Sequence, residues 1–191
     1  MMRLHLVRHG PTHAKAMVGW TDLPADLSDT AAIARLSAHL PSHGTLISSD
    51  LSRAIATADA LASPRRLRLP HDPALREMHF GAWEMRGFAE VEAEDPAHIR
   101  AFWETPGDIS PPGGESWNQI CARVSNALAR LQAHGPDLIV VCHFGAILAA
   151  LQTCLGLTAQ QVFSHKIDNL SVTALHRTDA GWQAGTINQR P

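Results

Sequence analysis

Arg8-His9-Gly10 follows a short apolar run, Leu4 to Val7, and sets an imidazole beside a guanidinium where a strand would end. Arginine offers a planar fork of donors that suits phosphate oxygens, and histidine can attack phosphorus as a nucleophile. The same chemical types recur further along, in Ser48-Ser49-Asp50-Leu51-Ser52-Arg53, Leu75-Arg76-Glu77 and Val140-Val141-Cys142-His143. Two guanidinium groups and one or two imidazoles around a phosphoryl group would stabilise the charge on its equatorial oxygens. A carboxylic acid at Glu77 can protonate a leaving oxygen if burial or the substrate's own charge raises its pKa.

These residues must be gathered by the fold, and the apolar pattern says how. Arg3 to Val7 reads as a strand ended by the Gly10-Pro11 break. A helix capped by Ser28 and running to about Leu40 would bury Ile33, Leu36 and Leu40. Thr45 to Ser48 reads as a second strand, followed by a helix from Ser52 to Ala62 with Ala54, Ile55, Ala58 and Leu61 inward, stopped by Pro64. Trp117, Ile120, Cys121, Val124, Leu128 and Leu131 recur at helical spacing, and Leu138 to Cys142 is a continuous apolar run suited to a central parallel strand. Gly145 to Leu155 returns as helix, and Ser171 to Leu175 and Trp182 to Ile187 read as two further strands. The fold class predicted is α/β, one domain over residues 1–191 with three layers, helices on both sides of a mostly parallel sheet. Arg8-His9, Arg53 and His143 then sit at or just after strand carboxyl ends, where ligands bind in open α/β sheets.

Between residues 70 and 114 the periodicity weakens and prolines, glycines, acidic residues and aromatics gather, Phe80, Trp83, Phe88, Phe102 and Trp103 among them. This stretch reads as a partly helical excursion over the active site, of the kind that often carries function. Ser116 reads as a helix cap, with Glu115 near the positive end of that helix.

Bulk properties narrow the partners. The chain has 191 residues, 45% hydrophobic and 18% charged, with a net charge of −2. That balance gives no general attraction to nucleic acid or to an anionic membrane surface. No apolar run approaches the roughly 18 residues that cross a bilayer. Cys121, Cys142 and Cys154 cannot all pair and none lies in a CxxC spacing, which argues against a disulfide framework or a thiolate zinc site. His5, His9 and His13 recur every four residues, but a strand broken by Gly10-Pro11 cannot put them on one helical face as metal ligands. A cytoplasmic location suits these features.

With its motifs taken together, the chain resembles the histidine phosphatase superfamily, also called phosphoglycerate mutase-like. The resemblance is carried by Arg8-His9-Gly10, Ser49-Asp50-Leu51-x-Arg53-Ala54-x-x-Thr57-Ala58, Leu75-x-Glu77-x-x-Phe80-Gly81-x-Trp83-Glu84, Pro112-x-Gly114-Glu115-Ser116 and Val140-Val141-x-His143, in order over nearly the whole chain. It implies that His9 becomes a phosphohistidine, that Arg8, Arg53 and His143 hold the phosphoryl oxygens, and that Glu77 gives a proton to the departing alcohol. Glu77 would then act as base while water hydrolyses the phosphohistidine. No metal and no cofactor are implied, and the expected partner is a small-molecule phosphate ester. Within the family, the short length and the Phe80-Gly81-x-Trp83-Glu84 segment are similar to α-ribazole-phosphate phosphatases, which makes α-ribazole 5'-phosphate or a sugar phosphate the candidate substrate.

The chain departs from the family pattern in three places. Pro11 follows His-Gly where Glu or Gln is common, and Lys15 stands where many members carry a phosphate-binding Asn. Phe144 replaces the glycine that usually follows the second histidine. Thr12, Lys15, Arg86 and Phe144 complete the candidate contacts to phosphate or substrate. Two other readings remain: a phosphoglycerate mutase, against which the acidic run Glu90, Glu92, Glu94 and Asp95 argues, and a non-catalytic phospholigand-binding protein.

Overall fold

The computed structural model describes residues 2–191. The chain runs β1 (Met2–Arg8), α1 (Thr30–His39), β2 (Gly44–Ser48), α2 (Ser52–Ala60) and β3 (Arg66–Arg68), then α3 (Phe88–Glu94), α4 (Pro96–Glu104) and α5 (Trp117–Leu131). It continues through β4 (Asp137–Cys142), α6 (Phe144–Leu155), α7 (Ala159–Phe163), β5 (Val172–Thr178) and β6 (Gly181–Ala184). The strands form one six-stranded sheet in the order β3-β2-β4-β1-β5-β6. The ladders β3-β2, β2-β4 and β4-β1 are parallel, whereas β5 runs antiparallel to both β1 and β6.

Side-chain alternation along the strands makes the layers. Leu4, Leu6, Leu138, Val140 and Cys142 face one side and pack with α5 and α6. Val7, Leu46, Ile139 and Val141 face the other, against Leu36 and Leu40 of α1 and Ala54, Ala58 and Leu61 at α2. β4 is buried along its whole length: Leu138 to Cys142 form a continuous apolar run, and the buried Asp137 at its start is held by Arg3. Each large aliphatic side chain buried this way contributes about 1.5–3 kcal/mol. Among the described residues, no helix is long and apolar enough to cross a membrane.

Two local expectations need correction. Asp29, not Ser28, caps α1: its carboxylate accepts the Ala32 N–H at 2.9 Å. The Ser28 N–H is already held by the Asp26 carboxylate, so the helix starts one residue later than the serine suggests. In α2 the inward stripe includes Arg53 and Thr57 beside Ala54 and Ala58, while Ile55 is only half-buried. A polar pair takes positions that a purely apolar reading assigns to the core, because that end of α2 faces the site.

The excursion folds as two 3-10 turns, Pro73–Leu75 and Gly81–Trp83, followed by α3 and α4. Phe80, Trp83 and Phe102 join the core on the α5/α6 side. Gly81 has a φ of +52°, and a side chain there would strike the Pro112 carbonyl and the Gly113-Gly114 backbone, so the turn can close only on glycine. Ser116 and Gln119 form a capping box at the start of α5, worth about 1 kcal/mol.

Candidate active site

Because β4 is inserted between β1 and β2, three carboxyl ends meet at the centre of the sheet. Arg8 pairs in register with Cys142, which brings the next residues, His9 and His143, side by side with ring centroids 4.9 Å apart. Ser48 of β2 pairs with Val141, and the chain then turns through Asp50 into the first turn of α2, where Arg53 points back at His9. Glu77 arrives from the excursion, just beyond the Pro73–Leu75 turn, and meets the start of α6. The structure thus brings together Arg8, His9, Arg53, Glu77 and His143, which lie far apart in the chain.

His9 is 6% exposed and held in one tautomer. Its Nδ1 lies 2.7 Å from the Gly10 carbonyl, which can only accept, so Nδ1 carries the proton. Its Nε2 faces Arg53 Nε at 3.3 Å, a group that can only donate, so Nε2 keeps its lone pair. The backbone around it is pinned as well: Asn169 Nδ2 donates to the His9 carbonyl at 2.8 Å, and the Gly10 N–H donates to Thr57 Oγ1 at 3.0 Å. Burial, opposed by the Gly10 hydrogen bond and reinforced by Arg53 and Arg8, pushes the imidazole down to about 3. His9 therefore presents a neutral, nucleophilic nitrogen at neutral pH.

Arg53 is 1% exposed, and its Nη1 and Nη2 donate to the carbonyls of Thr21 and Gly19 at 2.9 and 2.6 Å. Arg8 Nη1 donates to the Ile167 carbonyl at 2.5 Å, and its guanidinium lies 5.4 Å from the centre of the Phe144 ring. Burial lowers both groups from their ordinary values, yet arginine stays cationic at any working pH. The Asp50 carboxylate, three residues before Arg53, is taken by Arg76 at 2.6 Å. Among the described residues neither Arg8 nor Arg53 enters an ion pair. A half-buried and a buried guanidinium group, bound only to neutral carbonyls and the neutral His9 ring, make a strong site for a dianion.

His143 is fully buried and, among the described residues, neither ring nitrogen has a hydrogen-bond partner. Burial, then the neighbouring His9 and Arg53, hold it well below its ordinary value. Glu77 is buried too. Its Oε1 accepts the N–H groups of Met78 and Gly145, each at 2.9 Å, the latter at the positive end of α6. Burial raises its pKa; the two N–H groups, Arg53 and Arg8 oppose the rise without cancelling it. Burial thus favours the proton on Glu77 and disfavours one on His9, the opposite tendencies required of an acid and a nucleophile. Gly145 is needed at its position because a Cβ there would collide with the Glu77 carboxylate.

The remaining candidates are placed differently. Lys15 is exposed on the loop after β1 and, among the described residues, in no ion pair, and Thr12 is half-buried on the same loop; neither bonds any of the five residues above. Arg86 holds Glu90 and Glu94 at 2.8 and 2.6 Å. Phe144, the first residue of α6, packs its ring on Arg8 and lines, with Glu77, a cleft toward the excursion. Among the described residues no three His, Cys, Asp or Glu side chains gather as a metal-ligand group.

Supporting residues were not legible as such. Glu84 accepts the N–H groups of Gly19, Trp20, Thr21 and Phe80 and the Thr21 hydroxyl, and so shapes the loop whose carbonyls hold Arg53. Burial works to raise its carboxyl, but these donors outweigh it and leave the pKa lowered. Arg123 donates to the carbonyls of Ala74, Arg76 and Glu77 while paired with Glu115 at 2.7 Å, and Trp20 Nε1 donates to the Glu77 carbonyl at 2.8 Å. Glu115, near the start of α5, is thus engaged with Arg123 and with the His79 N–H. Glu84, Thr57 and Glu115 fall inside the quoted motifs; Arg123, Trp20 and Asn169 carry no local signal of their roles.

Comparison with known proteins agrees with this geometry. The chain is 29% identical over 196 residues to an adenosylcobalamin/alpha-ribazole phosphatase of Escherichia coli, covering 99% of this chain and 92% of that one. It is 30% identical over 192 residues to a Proteus mirabilis protein named "Probable phosphoglycerate mutase GpmB", covering 96% and 89%. The crystal structure of the alpha-ribazole phosphatase from Shigella flexneri superposes with a TM-score of 0.87 at 28% identity, over 99% of this chain and 97% of that one. The family model for branch 1 of the histidine phosphatase superfamily matches residues 4–190, and the chain belongs to that family.

Proposed function

We propose that the protein is a phosphomonoesterase that hydrolyses a small phosphorylated metabolite through a phosphohistidine at His9. The observation that carries this reading is the His9 tautomer, with Nδ1–H held on the Gly10 carbonyl and the Nε2 lone pair turned toward Arg53. In the first step Nε2 attacks phosphorus, the P–N bond forms, and the bond to the alcohol oxygen breaks in line. Glu77 delivers its proton to that oxygen, so the alcohol leaves neutral and Glu77 is left as carboxylate. Arg8, Arg53 and a protonated His143 hold the three equatorial oxygens; the dianion supplies the counter-charge that lets the buried imidazole ionise. In the second step Glu77 takes a proton from water, which attacks phosphorus and releases phosphate and neutral His9. Guanidinium and imidazole groups supply the charge that a divalent cation supplies in other phosphoryl-transfer sites.

The relatives' names make α-ribazole phosphate the first natural ester to test. The Proteus name favours a second reading, transfer of the phosphoryl group between positions of phosphoglycerate. We favour hydrolysis because, among the described residues, no arginine or lysine lines the cleft beside Glu77 to clamp the carboxylate of a phosphoglycerate. The three cysteines are all free, which fits a reducing compartment such as the cytoplasm. The deciding experiment is hydrolysis of nitrophenyl phosphate in excess chelator by wild type and His9→Ala, with phosphoglycerate isomerisation measured alongside. Turnover that survives the chelator and is lost in His9→Ala supports the reading. Isomerisation faster than hydrolysis would replace it with the mutase.

A further inference from the structure

We infer that Asn188 is a positioning residue for phosphoryl transfer: its side-chain amide latches the loop that precedes β5, and that loop holds Arg8 and His9. The inference rests on the phosphatase reading above and adds a residue that acts on the nucleophile from a distance.

The residues between α7 and β5 lie at the carboxyl end of β1, because Val7 pairs with Val172 at the start of β5. They bond the nucleophile's segment along both its backbone and its side chains. The Leu170 N–H donates to the Arg8 carbonyl at 3.0 Å, and the Arg8 N–H donates to the Ser171 carbonyl at 3.2 Å. The Ile167 carbonyl accepts Arg8 Nη1 at 2.5 Å, and the Asn169 amide donates to the His9 carbonyl at 2.8 Å. Arg8 Nε has no partner among the described residues and stays free to donate to an ester oxygen. The loop therefore sets both the orientation of one guanidinium and the peptide group next to the His9 ring.

The loop's shape has to be imposed on it, since Leu170 sits at φ +57°, a conformation disfavoured for leucine. The restraint comes from the residues after β6. That segment returns along β5, bonding Ala174 through Gly185 and Thr186, and Val172 through Gln189 in both directions at 2.8 and 2.9 Å. Between these pairings it bulges, with Asn188 at φ +57°, where asparagine is tolerated. The bulge turns the Asn188 side chain onto Asp168. Its Oδ1 accepts the Asp168 N–H at 2.6 Å, and its Nδ2 donates to Asp168 Oδ2 at 3.1 Å. Asp168 in turn ties the other end of the loop, its carbonyl accepting the Ser171 hydroxyl at 2.7 Å. Ile167, Asn169 and Leu170 are thus held around one anchored residue. Lys166 also pairs with Asp168, but it is 78% exposed, and such surface pairs contribute little. A residue needed only for the bulge would need only its φ, which glycine supplies as readily. The latch needs the amide.

The test measures kcat and KM on nitrophenyl phosphate, and inhibition by inorganic phosphate, in wild type, Asn188→Gly, Asn188→Asp, and Asn188→Asp combined with Asp168→Asn. Glycine keeps the backbone and removes the amide. There kcat/KM is expected to fall about 10- to 100-fold, the scale of a small misplacement of reacting groups, and phosphate to bind several-fold more weakly. Asn188→Asp sets two carboxylates against each other and is expected to do at least as much harm. Adding Asp168→Asn lets the new amide donate to the new carboxylate, so both bonds re-form with donor and acceptor exchanged. Activity and phosphate binding are then expected to return to within a few-fold of wild type. Simple loss of folded protein would lower the number of sites and leave the inhibition constant of the remaining ones unchanged. Wild-type kinetics in Asn188→Gly, an unchanged phosphate constant in the slowed variants, or no recovery in the exchange would overturn the latch and leave the phosphatase reading standing. Folded wild type inert on nitrophenyl phosphate would overturn both.

Discussion

Replacing Glu77 with glutamine removes the proposed proton donor while keeping most of its anchorage. Oε1 accepts the Met78 and Gly145 N–H groups at 2.9 Å each, whereas Oε2 lies 3.1 Å from the Gly145 nitrogen. A glutamine can place its carbonyl oxygen where Oε1 stands, so the two shorter bonds survive and the folded state loses about 1 kcal/mol or less. General acid catalysis is worth about 10²- to 10⁴-fold, or about 3–5 kcal/mol of barrier, and only where the leaving oxygen needs a proton. The full loss is therefore expected with phenethyl phosphate, and only a few-fold loss with dinitrophenyl phosphate, whose phenolate departs unprotonated. Because burial raises Glu77 above its ordinary 4.5, the wild-type rate on the alkyl ester should fall as pH rises through that raised value, and the variant should lack this limb. Stability follows the same sign. Between 4.5 and the raised value the native state keeps a proton that the unfolded chain has lost, so wild type loses stability as pH rises through that window and Glu77→Gln does not. Initial rates on both esters across the neutral range, with melting curves alongside, make the assay. Equal losses on the two esters, or an unchanged alkaline limb, would refute the acid role.

Other perturbations test the supporting structure. Gly145→Ala improves helix propensity by about 1 kcal/mol yet drives a methyl group into the Glu77 carboxylate; activity on alkyl phosphates should fall at least ten-fold while the melting temperature changes little, and full activity would show that Glu77 has room to move. Arg123→Met breaks the pair with Glu115 and frees the Ala74, Arg76 and Glu77 carbonyls, at about 2 kcal/mol of stability in a partly exposed setting. If Arg123 acts by positioning Glu77, its effect on kcat should vanish in a Glu77→Gln background, measured as a double-mutant cycle. Acid stability reports on His9: between its ordinary 6.5 and about 3 the unfolded chain takes up a proton that the native state refuses, so stability falls as pH falls through that window. Wild type should lose up to about 1.4 kcal/mol per pH unit more than His9→Gln there, and parallel pH profiles of the two would contradict the buried, neutral imidazole.

The strands, the long helices and the residues at their ends were legible because local physics writes them directly. A short apolar run closed by Arg8-His9, a fully apolar run closed by His143, and the 3.6-residue stripe of α5 each say what they are without tertiary help. The distance between His9 and His143 was not legible, since it depends on β4 entering between β1 and β2, a choice made by the packing of both faces at once. The excursion's broken periodicity located it, but its two short turns are set by Gly81 against the Pro112–Gly114 backbone, a contact about 30 residues long-range in sequence. Arg123 sits on a helix whose apolar stripe is complete without it, so its hold on three carbonyls of another segment leaves no local trace. The α1 cap was misplaced by one residue because Ser28 and Asp29 are both good caps, and a turn made by Asp26 decided between them.

The central claim is that phosphorus is transferred to His9. Quenching the protein during turnover of a phosphorus-labelled ester and mapping the label is the most direct test, since a phosphoramidate is labile in acid and stable in alkali. The account predicts an alkali-stable label on His9 that is absent from His9→Ala, together with loss of hydrolysis in that variant. Label on another residue, or hydrolysis that continues in folded His9→Ala, would contradict it.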